Sequence, residues 1–171
     1  MKFFLRTFVS IMFVAIGLST MARADGFAPP TGDVVLTVSG KIAASNVKGS
    51  LELDAAQLAA LPQTSFTTTT TWTDGPQVFQ GVLLKDLIAA VGATGNTISL
   101  GATNDYTITM PMADVRGDGP LLAYLMNGKP MALRDKGPVW MVYPYDSNEK
   151  YRTEETYSRS IWQLITINFG G

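Results

Sequence analysis

Five short stretches of this chain hold side chains suited to a flat, polar ligand. Trp72-Thr73-Asp74-Gly75-Pro76 sets an indole and a carboxylate where a strand runs into a turn. Asn104-Asp105-Tyr106 offers an amide, an acid and a phenol at a strand entry, and Tyr143-Pro144-Tyr145-Asp146 places two phenols at a strand end. Arg134 sits in a charged loop, and Arg159 immediately precedes the last apolar strand. Such groups stack on a heterocycle and bond to its edge. Each also has a plain structural reading: Trp72 as a core residue, Asn104 and Asp105 as turn formers, and Arg134-Asp135-Lys136 as a solvated loop. Glu149 to Arg159 reads as an exposed loop, with Arg159 held by the strand that follows it.

Equally informative is the chemistry that the sequence lacks. Its 171 residues include no cysteine and no histidine. No thiolate nucleophile, disulfide or sulfur ligand is available, and neither is the usual general base near neutral pH. A Ser-His-Asp triad is impossible, and neither phosphate-binding glycine motif occurs. No pair of acids sits on a scaffold that suggests glycoside hydrolysis. The composition favours binding over hydrolytic, redox or metal chemistry.

Residues 1–24 have the pattern of a secretion signal. Lys2 and Arg6 precede the apolar run from Phe8 to Leu18, and Ala22-Arg23-Ala24 supplies small residues for cleavage before Asp25. That run is shorter than the roughly 20 residues of a spanning helix. The pattern predicts a soluble exported protein, periplasmic in a bacterium with two membranes. Without Lys2, Arg6 and Arg23, 10 basic residues face 14 acidic ones, a formal charge of about −4. This balance suits neither nucleic acid nor direct insertion into an anionic membrane, and it points to a small molecule or a protein partner.

After a leader at 25–33, one α+β domain is expected over 34–169: a single mixed-sheet domain, strand-rich with a few short helices. Strands are predicted at Val34–Ser39, Leu51–Leu53, Ser65–Trp72, Thr97–Leu100, Tyr106–Met110, Leu121–Met126 and Val139–Tyr143. A last strand, Ile161–Phe169, is expected to carry Ile161, Gln163, Ile165, Ile167 and Phe169 on one face. Asp54 and Gln57 form a capping box for a helix through Ala60. A second helix is expected over Val82–Val91, after a close approach at Gly81 and ending at Gly92. Asn127-Gly128 signals a hairpin.

Several of these segments together resemble the oxidoreductase molybdopterin-binding domain of the sulfite oxidase family. They are Phe66–Trp72, Phe79-Gln80-Gly81-Val82-Leu83-Leu84-Lys85-Asp86-Leu87, Asn104-Asp105-Tyr106, Arg134 to Pro144 and Ser160-Ile161-Trp162-Gln163-Leu164. The resemblance implies that family's fold and a pterin cofactor. Its enzymes bind molybdenum through a cysteine near the end of the strand that here reads Thr68 to Trp72. A threonine hydroxyl does not replace that soft ligand, so no molybdenum is expected.

The chain also looks like small exported members of this fold that lack the cysteine, bind a free pterin and partner with membrane enzymes of cyclic di-GMP metabolism in biofilm control. On that resemblance Trp72 becomes a stacking platform. Asp74 or Asp105 would accept from the pterin amino group, and Arg134 or Arg159 would donate to its carbonyl. Asn104 and Tyr106 would form the rim, and Tyr143 and Tyr145 would supply phenol donors and wall area. Two alternatives stay open: a ligand-free interaction module of the same fold, and a residual molybdopterin-dependent oxidoreductase.

Overall fold

The computed structural model describes residues 26–171, so the predicted export segment lies outside the described residues. Among the described residues, ten strands form two sheets. The first has the order β2 (Ser50–Asp54), β1 (Val34–Gly40), β10 (Leu164–Gly170), β5 (Thr97–Ala102), β6 (Thr107–Pro111). Its chain-distant pair, β1 with β10, is parallel, and the other pairs are antiparallel. The second runs β3 (Thr64–Thr68), β4 (Gln77–Leu83), β7 (Leu121–Met126), β8 (Lys129–Pro130), and β9 (Trp140–Val142) also pairs with β7. Helices α1 (Ala55–Ala60), α2 (Leu84–Val91) and α3 (Glu154–Ser158) are short. This is the strand-rich α+β architecture expected from the sequence.

Alternation builds the core. In β1, Leu36 and Val38 are buried, as are Ile98, Leu100 and Ala102 in β5, and Ile167 and Phe169 in β10. Phe79, Val82, Leu121 and Leu122 join them from the second sheet in one continuous cluster, which α1 enters through Leu58 and α2 through Leu84, Leu87 and Val91. Each fully buried side chain of this size contributes about 1.5–3 kcal/mol of transfer free energy.

Local signals hold where the backbone chemistry is short-range. Asp54 Oδ1 accepts from Gln57 N at 2.9 Å and Gln57 Oε1 accepts from Asp54 N at 3.0 Å, closing the capping box. The other Asp54 oxygen accepts from Thr31 N and Gly32 N, so the leader is fastened to the same carboxylate. Gly92 caps α2 in the left-handed region at φ 59°. Asn127 and Gly128 both have positive φ, as a two-residue hairpin requires.

Four expectations need correction. Helix α2 begins at Leu84, because Val82 and Leu83 stay paired with Leu122 and Leu121 of β7. The threonine run leaves the sheet after Thr68, because the Thr69 backbone N–H donates to the Asp146 carboxylate instead of to a neighbouring strand, and the Thr70 hydroxyl bonds within the turn. The final strand starts at Leu164. Gln163 has φ 50°, and a register shift between Leu164 and Thr166 separates Ile161 and Gln163 from the face of Ile167 and Phe169. Finally, 149–159 is no exposed loop: it forms a 3-10 turn at Glu149–Tyr151 and then α3, burying Tyr151 and Thr156.

The close approach expected at Gly81 is real. A Cβ there would strike the Leu122 carbonyl and lie 2.8 Å from Ala123 Cα, both backbone of the paired strand. Gly81→Ala is expected to destabilise the domain by about 1–3 kcal/mol, read as a lower denaturation midpoint with an unchanged slope. An unchanged midpoint would contradict this packing.

Candidate functional site

An aromatic cavity of about 310 Å³ opens where the 69–76 turn, the β5–β6 turn and the segment around α3 converge. Trp72 and Trp162 line it together with Tyr106 and Tyr157. Ala102 and Ile161 complete the apolar wall, and Asn104, Ser158 and Ser160 contribute the polar atoms. The volume lies at the lower end of the roughly 300–1,000 Å³ typical of small-molecule sites.

Trp72 is the hinge of this wall. Its ring meets Trp162 at 5.7 Å, Trp140 and Tyr157 at 5.9 Å and Tyr145 at 6.4 Å, all edge-to-face. The ring quadrupole favours this geometry, at about 0.5–1.5 kcal/mol per pair beyond area burial. Trp72 therefore packs in an aromatic cluster and also lines the cavity. All three tryptophans of the chain belong to this cluster.

The turn that carries Trp72 is tied down from across the fold. Thr69 N donates to Asp146 Oδ2 at 2.6 Å and Thr69 Oγ1 to Asp146 Oδ1 at 2.7 Å, while Asp146 N donates to Thr68 Oγ1 at 3.1 Å. Trp72 N then donates to Thr70 Oγ1 at 3.0 Å. On the opposite wall, Tyr145 and Ser160 hydroxyls share a 2.6 Å bond, Ser160 Oγ donates to the Thr156 carbonyl, and Trp140 Nε1 donates to the Ser160 carbonyl. Burial pushes the Tyr145 phenol up to about 12, so it stays protonated and a donor at neutral pH.

The nine residues singled out in the sequence divide three ways. Trp72, Asn104 and Tyr106 meet at the aromatic cavity. Tyr145 lies buried behind its wall, touching Trp72 but not lining it. Tyr143 and Arg159 face a different, polar cavity of about 430 Å³ with Asp114, Arg116, Lys150 and Glu155. There the Arg159 guanidinium bridges Asp114 at 2.9 Å and Glu155 at 2.5 Å. The Tyr143 hydroxyl is buried without a protein partner among the described residues, and burial holds its phenol far above the ordinary range. Asp74, Asp105 and Arg134 are exposed and line neither cavity. Asp105 serves the turn at φ 63°, and Asn104 Oδ1 accepts from Tyr106 N, so turn chemistry explains much of that motif.

Sequence reading missed Tyr157, Ser158, Ser160, Ile161 and Trp162 as lining residues. The signal was present in the stretch Ser160-Ile161-Trp162, but extending the last strand to Ile161 put Trp162 on an outward face. The positive φ at Gln163 breaks that alternation.

Residues 33–147 match the model of the oxidoreductase molybdopterin binding domain family. The chain belongs to that family. The match covers about two thirds of the chain and ends before α3, which supplies much of the cavity's second wall. No curated protein matches the chain.

The molybdopterin that the family implies can be tested in two parts. For the metal the donors do not fit: there is no cysteine, and the Thr68, Thr69 and Thr70 hydroxyls are engaged with Asp146 and the turn. Among the described residues no cluster of three or more His, Cys, Asp or Glu could hold an ion. For the organic ring the fit is good, because the walls are aromatic and the polar atoms few.

The tether has a pH consequence. The Thr69 backbone N–H holds the Asp146 carboxyl below its ordinary value of 3.8. Its contribution is therefore complete above about pH 4 and is lost as pH falls through the depressed folded value. Thermal stability measured from pH 6 to pH 2 is expected to fall less steeply in Asp146→Asn than in the parent. Superimposable acid limbs would show that the tether contributes nothing.

Proposed function

We propose that this chain is a non-catalytic pterin-binding protein that keeps the ring-binding half of a molybdopterin site and has no ligand for the metal. The observation that carries this reading is the cavity walled by Trp72, Tyr106, Tyr157 and Trp162 in a domain of the molybdopterin-binding family. A pterin ring stacks on these faces, and each such contact is worth about 1–3 kcal/mol by analogy with base–aromatic stacking. Among the described residues, the Asn104 amide nitrogen and the Tyr106 and Tyr157 hydroxyls make no protein hydrogen bond and are available to the ring edge.

In the same reading the protein is exported to the periplasm by its N-terminal segment and reports pterin state to a membrane enzyme that makes or degrades cyclic di-GMP. The support for this finer part is the resemblance of the sequence to small cysteine-less members of the fold, together with the export pattern of residues 1–24. Helix α3 suits it mechanically, because Tyr157 and Ser158 face the aromatic cavity while Glu155 and Thr156 face the polar one. A shift of α3 on ligand binding reaches the far surface directly.

Because every tryptophan sits in the cluster, selectively excited tryptophan fluorescence reports on this region. Titration with a pterin is expected to quench it saturably. Tyr106→Ala removes a half-exposed ring that the core does not need, and it is expected to weaken binding about 5- to 100-fold with thermal stability unchanged. Trp72→Ala should lose more affinity, with circular dichroism checking that the fold survives. Parental affinity in both folded variants, or no quenching by any pterin, would contradict the proposal and favour an interaction module.

A further inference from the structure

The charges around the aromatic cavity say which pterins it accepts. Among the described residues, none that lines it is an acid, a lysine or an arginine. The cations nearest in the chain are committed elsewhere. Arg159 lies between two lining residues, Ser158 and Ser160, yet its guanidinium turns the other way onto Asp114 and Glu155 and is only 15% exposed. Lys136 places its ammonium over the Trp162 ring at 4.0 Å and near Trp140 at 5.4 Å, as a cation–π cap instead of a cavity donor. Arg134 is exposed and lies outside the lining. The remaining polar atoms are neutral, and the Ser160 hydroxyl is already bonded to Tyr145 and Thr156.

From this we infer that the cavity selects uncharged, phosphate-free pterins and rejects phosphorylated ones, molybdopterin itself included. The inference rests on the pterin reading above and adds the ligand's charge class. A phosphate carried into this site loses hydration and finds no charge-assisted hydrogen bond in return, in a chain whose formal net charge is already −1. A neutral pterin ring meets amide and hydroxyl partners that match its own edge. The same lining explains how a domain of this family can hold the ring without competing for the phosphorylated metal cofactor.

The test compares neopterin with its phosphate monoester on the exported form of the protein, by tryptophan quenching and calorimetry at low and high salt. Neopterin is expected to bind with little salt dependence, and the monoester about tenfold or more weaker. Ser158→Lys places an ammonium at the rim from an exposed position, and is expected to narrow that gap by raising the affinity for the monoester relative to that for neopterin. A monoester that binds the parent as tightly as neopterin, or tighter and with salt-sensitive affinity, overturns the charge selection while leaving pterin binding intact. Failure of both ligands to bind overturns the pterin reading and this inference with it. The parent comparison decides the matter even if the variant does not fold.

Discussion

Trp72 can stand edge-on to four other aromatic rings only because the turn beneath it is held in place. That turn has no strand partner after Thr68. Its position comes from one carboxylate, Asp146, which takes both the backbone and the hydroxyl of Thr69 from 77 residues away. The bond joins the end of β3 to the loop after β9 and so anchors the turn that carries Trp72 to the cavity. On the other side, Ser160 fixes the end of α3 through Tyr145, Trp140 and Thr156. The apolar wall is therefore a packing feature that polar bonds from outside it align. Loss of either set of bonds frees an edge-to-face cluster whose individual contacts are each worth only about 1 kcal/mol.

Much of this was legible in the residues where the physics is local. The Asp54–Gln57 capping box, the Gly92 stop, the Asn127-Gly128 turn and the tight approach at Gly81 follow from backbone chemistry within a few positions. They appear in the structure where the sequence places them. What was not legible depended on partners far along the chain. Five threonines read as continuous strand, since nothing local says that Asp146 will capture Thr69. Glu149 to Arg159 lacks a helical period, and α3 survives because Thr153 caps it and Thr156 is buried against the core.

The same divide runs through the site. Trp72, Asn104 and Tyr106, chosen by residue type, meet at one cavity because the loops that hold them converge. Tyr143 and Arg159 were equally suitable by type, yet they meet in a second cavity on the far side of α3. Residue type identified the chemistry, but only the break in alternation at Gln163 decides that Trp162 faces in. Family membership sharpens the point, since the match identifies a molybdopterin-binding domain while the donor set for its metal is missing. Ring recognition and metal ligation are separable, because one needs aromatic surface and the other a thiolate.

The central claim is that the aromatic cavity holds a pterin without a metal. The most direct measurement is on protein produced in a pterin-making cell, purified without added ligand, denatured, and examined for released small molecules by mass spectrometry with metal analysis of the same sample. The account predicts a pterin at a substantial fraction of one per chain, lacking phosphate, with molybdenum at background. Near-stoichiometric molybdenum with a phosphorylated pterin would contradict it, and would restore the oxidoreductase reading that the missing cysteine argues against.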